Sequence, residues 1–336
     1  MRENFGKTPA GEKITLYTVE NDRFMMKVMD YGAVLVSFID KDTGIDIVKG
    51  YDSGDLYIED AGSYLCAIVG RTANRIRNAS FILNGVKYDL PVNNGTNCHH
   101  GGLKGFSRVF WNLEEKDNQI ICKRHSPDGE EGYPGNMDVT VTYTLDEEGI
   151  QIDFEAVTDK DCPFAPTSHA YFNMNGDSNG LDQELKIYSD RFSPLDEDSV
   201  SLPQFESVEG RPFDFREFKK PSLDIDSDDE QIKAGYGFDH FYPVDGEGIR
   251  KMCELRGEKL VMTLSSDMPG FHFYTANYMD CEKGRNGYPN HKHSCIALEA
   301  EYLPNAVNVP EYPYSVILKA GEKAHHVIRY DLRKRD

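Results

Sequence analysis

The sequence predicts an all-β protein, a large antiparallel β-sandwich with few short helices, and three observations lead there. Apolar residues recur at every second position in several runs, turn-forming residues separate those runs, and no stretch of about a dozen residues sustains the i, i+3, i+4, i+7 apolar pattern of an amphipathic helix. Without such helices the strands lack crossover connections, which disfavours a doubly wound α/β architecture.

Taken along the chain, the first pair is Phe81-Ile82-Leu83 and Val86-Lys87-Tyr88 around Asn84-Gly85. Asn-Gly readily takes the positive φ angles of a type I′ turn, so a hairpin is expected. In the second, Met137, Val139, Val141, Tyr143 and Leu145 alternate with polar residues, and Ile150, Ile152, Phe154 and Ala156 do so again after Asp146-Glu147-Glu148-Gly149. A third pair is expected from Leu260, Met262 and Leu264 before Asp267-Met268-Pro269-Gly270, with Phe271 to Thr275 after it. The fourth joins Tyr314 to Lys319 with Ala324 to Tyr330 across Ala320-Gly321-Glu322-Lys323. The acidic tract from Arg216 to Gly235 lacks the EF-hand order and reads as a solvated loop. No repeat or Pro/Gly/Ser linker divides the 336 residues, so one domain over residues 1–336 is expected.

Charge narrows the partners. With 57 Asp and Glu against 37 Lys and Arg, a net of −20, the surface repels nucleic acid and anionic lipid. No segment has the roughly 20 apolar residues of a membrane span, and the amino terminus lacks a signal peptide's apolar core, so a cytoplasmic protein is expected. The seven scattered cysteines contain no CxxC pair and are expected to be thiols. Cys281, His291, His293 and Cys295 are zinc-type ligands at irregular spacing, and no metal is assigned to them. His325 and His326 are neighbours on a strand and face opposite ways.

Two strand-like segments hold groups that transfer protons. His169 lies in Pro166-Thr167-Ser168-His169-Ala170-Tyr171-Phe172-Asn173, where aromatic neighbours would hold its ring; the alternative is a core histidine bonded to a backbone carbonyl. In Cys295-Ile296-Ala297-Leu298-Glu299-Ala300-Glu301, alternation puts Ile296, Leu298 and Ala300 on one face and Glu299 and Glu301 on the other. Desolvation there would raise a carboxyl's pKa toward general-base range, unless the strand is an edge facing water. Three further segments, Gly70 to Ile76, Asn97 to Gly102 and Gly237 to His240, join glycines to Arg, Asn, His and Asp, the donors and acceptors that suit sugar hydroxyls.

In this order, GRTANRI, HHGG, SHAYFN, GFDH and LEAEYLPNAVN resemble the aldose 1-epimerase (galactose mutarotase) family, from Gly70 to Asn308. The resemblance implies a supersandwich of β-sheets with an open sugar cleft, and an isomerase that interconverts the α and β anomers of free aldoses such as galactose and glucose without a cofactor. Carried over by motif, it implies His169 as general acid, Glu299 as general base, and Asn74, Arg75, His100 and Asp239 as substrate-binding residues, with no role for His99. His272 stands where the family often has Gln and joins the substrate-binding set; Glu301 likewise replaces a common Gln. Ser168 and Phe241 stand where Asn is common. The first two departures bear on sugar preference more than on the reaction.

Two alternatives remain at this point: an epimerase of a hexose phosphate or other modified sugar, which would need more cations than Arg75 and Arg71, and a non-catalytic sugar-binding protein, which would need neither His169 nor Glu299. A monomer or homodimer acting on a small-molecule aldose, with no nucleic acid or membrane partner, is the expectation.

Overall fold

The computed structural model describes residues 1–335 and is all-β, 44% strand against 9% helix, with two short α-helices at Gly54–Glu59 and Glu230–Gly235. Among the described residues no helix is long and apolar enough to cross a membrane. Three antiparallel sheets carry most of the chain. The amino-terminal five-stranded meander runs Arg2–Lys7, Lys13–Glu20, Phe24–Met29, Leu35–Asp40 and Ile45–Asp46. An eight-stranded sheet is ordered Asn112–Lys116, Gln119–Ser126, Met137–Leu145, Gly149–Thr158, Lys323–Lys334, Leu260–Ser266, Arg250–Arg256 and Glu184–Ile187. The four-stranded sheet, ordered Tyr171–Phe172, Ile296–Glu301, Gly270–Tyr274 and Asp239–Pro243, floors the functional site.

Alternation builds the core as the sequence predicts. Met137–Leu145 pairs with Gly149–Thr158 so that Val139 faces Ala156, Val141 faces Phe154 and Tyr143 faces Ile152, all buried. Phe172 on the four-stranded sheet meets Tyr330 on the eight-stranded one edge-on at 4.9 Å, and the Tyr143 hydroxyl donates to Ala33 O at 2.7 Å, so one continuous apolar cluster joins all three sheets. The Asn84-Gly85 hairpin also forms, with both residues at positive φ.

The two carboxyl-terminal pairs differ from expectation. Leu260–Ser266 does not pair with Gly270–Tyr274: the turn between them carries the chain from the eight-stranded to the four-stranded sheet. Likewise Ile317–Leu318 pairs with Cys162–Pro163, while Lys323–Lys334 lies between Gly149–Thr158 and Leu260–Ser266. Both segments flanking each turn are apolar and are buried by different partners, so alternation and turn residues do not distinguish a hairpin from a corner between sheets. In the acidic tract, Asp229 caps the Glu230–Gly235 helix by accepting from Gln231 N–H at 2.8 Å, and its neighbour Asp228 is exposed.

The loop from Gly70 to Ile76 is fixed from behind. Arg71 is 2% exposed, and its guanidinium donates to Ser126 Oγ and to the carbonyls of Ser126, Pro127, Pro134 and Gly135 at 2.9–3.1 Å. Replacing Arg71→Met is expected to leave those acceptors unpaired and to lower stability by about 1–3 kcal/mol or more, the cost of leaving a buried acceptor unsatisfied. Urea unfolding should show a lower midpoint at unchanged slope; an unchanged midpoint would mean that water replaces the guanidinium.

Candidate active site

Register places the polar face of the four-stranded sheet. His272 lies directly opposite Glu299, Asp239 opposite Tyr274, Tyr274 opposite Ala297, and Ala297 opposite Tyr171. Residues two apart on a strand share a face, so Asp239, His272, Tyr274, Glu299 and Glu301 all project to one side. Phe271, Phe273, Ile296, Leu298 and Ala300 project to the other, into the core. The Ile296–Glu301 strand is paired on both sides, which removes the edge-strand alternative.

Over this floor lies a cleft of about 610 Å³ lined by Asn74, Arg75, His100, His169, Asp239, His272 and Glu299, the seven site residues expected from sequence. His169 is clamped through its backbone, its N–H to Ala67 O at 3.0 Å and its carbonyl to Cys66 N–H at 3.1 Å. Its ring stacks on Tyr171 at 4.9 Å between centroids. Nδ1 has no hydrogen-bond partner and Nε2 lies 3.5 Å from Glu299 Oε2. His169 is therefore not a core histidine spent on a backbone carbonyl.

The two segments carrying Asn74 and His100 hold each other. Asn74 N–H donates to His100 Nδ1 at 3.2 Å and His100 N–H to Asn74 O at 3.1 Å. With Nδ1 accepting, the proton of the neutral His100 ring is on Nε2, which leaves that N–H for a ligand. Gly101, at φ +83°, makes this approach possible, because a Cβ there would lie 1.9 Å from Gly70 O. Arg75 reaches the cleft with its Nε–H on Asn94 Oδ1 at 3.0 Å. Asp239 Oδ1 meets His272 Nε2 at 2.8 Å, and the opposite nitrogen of His272 lies 3.5 Å from Glu301 Oε1.

Burial sets the charge states. It pushes the His169 imidazole down to about 4. The same desolvation, with the charges of Glu301 and Asp239 added, raises Glu299 well above the ordinary carboxyl range. Burial would raise Asp239 too, but the His272 hydrogen bond and the positive charges of His272 and Arg75 override it and hold the carboxyl at about 2. His99 and His100 are held well below the ordinary imidazole range, first by burial, with the Arg75 cation adding to it.

Some cleft residues are invisible to motif reading. Tyr64, Tyr274 and Tyr278 line it, and Tyr64 stands within 6.2 Å of the His99, His100 and His169 rings. Tyr274 carries a signal, since it is two residues past His272 on the same face; Tyr64, at φ +50° after a short 3₁₀ turn, carries none. Arg71 points away from the cleft. Ser168 and Phe241 are buried off it, Phe241 with its ring over Gly270. Cys281 and His291 occupy non-facing positions of a two-stranded ladder, Cys295 is buried against Met279, and among the described residues no three His, Cys, Asp or Glu converge as a metal site.

An antiparallel sandwich with an open cleft of imidazole, carboxyl, amide and guanidinium groups defines a sugar-handling β-protein. Comparison with known proteins makes this specific. The family model described as aldose 1-epimerase matches residues 15–331. The galactose mutarotase of Bos taurus is 35% identical, covering 97% of this chain and 96% of its own, and the aldose 1-epimerase of Escherichia coli strain K12 is 32% identical over 98% of both. The crystal structure of galactose 1-epimerase from Lactobacillus acidophilus superposes with a TM-score of 0.88 at 27% identity, covering 99% of this chain and 98% of that one. The chain belongs to the aldose 1-epimerase family, and it is an isomerase that interconverts the α and β anomers of aldoses.

The electrostatics yield one direct expectation. With its imidazole pushed down to about 4, His169 is neutral at neutral pH, while burial shifts Glu299 toward holding its proton. Nitrogen NMR of labelled histidine, assigned with His169→Asn, should show a neutral His169 ring throughout the neutral range. An imidazolium signal there would reverse the order of the two groups.

Proposed function

We propose that the cleft binds a free aldohexose, galactose or glucose, and that His169 and Glu299 exchange protons with its hemiacetal. The reading rests on one observation above the others: an imidazole nitrogen and a carboxyl oxygen, both buried, 3.5 Å apart on a cleft wall otherwise suited to hydroxyls. The names of the relatives support galactose among the substrates. The uninterrupted core supports residues 1–336 as one domain, and the net charge of −20 disfavours nucleic-acid partners; a cytoplasmic monomer or homodimer is part of the same proposal.

In this mechanism His169 protonates the ring oxygen while Glu299 removes the proton of the anomeric hydroxyl. The bond from C1 to the ring oxygen breaks, the aldehyde turns about its C1 to C2 bond, and reclosure on the other face returns both protons. The two oxygens involved are both bonded to C1, so the acid and the base must also be neighbours. Glycosidase carboxyls, by contrast, stand roughly 5 Å or more apart across the scissile bond. Ring opening leaves His169 neutral and Glu299 protonated, the state that burial favours. Asn74, Arg75, His100, Asp239 and His272 hold the remaining hydroxyls.

A hexose phosphate is served less well. Among the described residues the cations lining the cleft are Arg75 and Arg108, and Arg108 already donates to the carbonyls of Leu103 and Ala61 and lies over Tyr64. Polarimetry on freshly dissolved sugars tests the reading: activity is expected on at least one neutral aldohexose, and failure on all of them with activity on a phosphorylated sugar would replace it.

His169→Asn and Glu299→Gln should each cut kcat by about 10² to 10⁴, the usual contribution of one positioned acid or base. The double variant should be little worse than the poorer single one, because the two act in one exchange. Activity requires one proton on the pair. It should therefore fall on the acid side as His169 takes a second proton, near about 4, and on the alkaline side as the pair loses its proton above the ordinary carboxyl range. A Glu299→Gln enzyme with near-normal kcat refutes the assignment.

For binding, Asp239→Ala should weaken the sugar by about 1–3 kcal/mol, the cost of an unpaired buried hydroxyl partner. His272→Gln should change the ratio of activities between sugars more than the maximal rate; equal effects on all sugars would place His272 outside the recognition set.

A further inference from the structure

One buried carboxyl has no task in this scheme. Glu301 follows Glu299 on the same strand face and is 0% exposed. Its Oε1 accepts from Asn74 Nδ2–H at 3.3 Å and lies 3.5 Å from His272 Nδ1, which the same Asn74 amide nitrogen approaches at 3.4 Å, while Oε2 has no hydrogen-bond partner. Leaving a carboxyl oxygen buried and unpaired is costly. The other nitrogen of His272 meets Asp239 at 2.8 Å. A single imidazole on the Gly270–Tyr274 strand thus lies between carboxyls from the two strands that flank it.

We propose that Glu301 is a positioning residue that acts through His272 on Asp239, the three forming one unit in which Glu301 fixes the imidazole and the imidazole fixes the Asp239 carboxylate toward the sugar. The inference rests on the reading of Asp239 as a sugar ligand.

Proton accounting shows why the ring is fixed. Either an imidazolium stands between two carboxylates, or a protonated Glu301 donates to Nδ1 of a neutral ring whose Nε2–H donates to Asp239. The two arrangements hold the same number of protons, and in both Nε2–H faces Asp239. Removing one proton leaves the Glu301 carboxylate facing Nδ1 with only the Asn74 amide to donate there, or deprives Asp239 of its donor. The groups that act on Glu301 are Glu299 on its own strand, His272 and Asp239 on the next two, Asn74 and Arg75 on the overlying loop, and Tyr312 beyond the strand's end. Burial, only partly offset by His272, Asn74 and Arg75, raises Glu301 to about 7. The two-proton unit therefore exists on the acid side of neutrality, and sugar binding should weaken as pH rises through that value.

Steady-state polarimetry on galactose across pH, on the whole chain, tests this with Glu301→Gln, Asp239→Asn, His272→Gln and the doubles Glu301→Gln/Asp239→Asn and His272→Gln/Glu301→Gln, folding being checked by thermal melts. Glu301→Gln keeps a donor for Nδ1 but cannot titrate. Its amide holds Nε2–H on Asp239 at every pH, as a protonated Glu301 does, so it should leave the plateau kcat unchanged and abolish the rise of KM through neutrality, giving a lower KM than the parent chain on the alkaline side. It should add little to Asp239→Asn. The His272→Gln/Glu301→Gln enzyme, with an amide pair in place of the ionisable one, should recover a low and pH-independent KM. A Glu301→Gln effect that is equally large with Asp239→Asn, that is confined to kcat, or that is absent overturns the inference. An Asp239→Asn enzyme with normal KM instead overturns the reading of Asp239 as a sugar ligand, and the inference with it.

Discussion

Glu299 lies 2% exposed on a strand with a neighbour on each side in the sheet, and ionising a carboxyl in such a place costs several kcal/mol unless another group compensates. Everything around it answers that cost. His169 is near enough to hold the proton that Glu299 releases; Asp239 keeps its charge because His272 lies against it, with Arg75 adding to the effect; Glu301 approaches the same imidazole from the other side. The site is a set of buried acids and bases with too few protons to neutralise all of them and too little water to ionise them freely. In such a set one proton moves between neighbours at small cost, which is what anomer exchange asks of its catalyst.

The fold makes that dry floor possible. Alternation along four paired strands sends phenylalanines into the core and ionisable groups into the cleft, so the apolar layer beneath the carboxyls is built from the same strands that carry them. The walls are held from outside the cleft: Arg71 ties the Gly70 to Ile76 loop to the carbonyls of Ser126, Pro127, Pro134 and Gly135, and Gly101 lets the His100 turn close against Gly70. Asn74 and His100 then face the ligand with their backbones already hydrogen-bonded to each other, which lowers the ordering that binding would otherwise require.

How much of this the sequence carries depends on the range of the interaction. Local pairs such as Asn84-Gly85 and Met137–Leu145 with Gly149–Thr158 are written in alternation and turn chemistry, and both are found. The turns at Asp267 to Gly270 and Ala320 to Lys323 read the same way and yet join different sheets, because the partner of each strand lies far along the chain: Gly270–Tyr274 pairs with Ile296–Glu301, and Lys323–Lys334 with Gly149–Thr158. The common face of Glu299 and Glu301 follows from a period of two. That His272 lies opposite Glu299, within reach of both Asp239 and Glu301, depends on register between strands that no local pattern fixes. Tyr64 escapes motif reading for the same reason, since it reaches the histidines only after the chain has folded over the floor.

The adjacency of His169 and Glu299 has a further consequence for the direction of the reaction. Both anomers present the same two oxygens at C1, exchanged only in which face of the aldehyde is attacked, so a catalyst favouring one protonation state strongly would bind one stage of the cycle too tightly. Burial lowers the imidazole and raises the carboxyl, which favours the neutral pair of the ring-open stage; sugar hydroxyls donating to Glu299 favour the ionised pair of the ring-closed stage. The two influences oppose each other, and their opposition keeps the closed and open stages close in free energy, so that neither becomes a trap. A fixed charge directly between the two groups, such as a lysine beside a carboxylate, would lack that balance; among the described residues the fixed cations of the lining are Arg75 and Arg108, engaged with Asn94 and with the carbonyls of Leu103 and Ala61, and the mobile proton is left to the pair of His169 and Glu299.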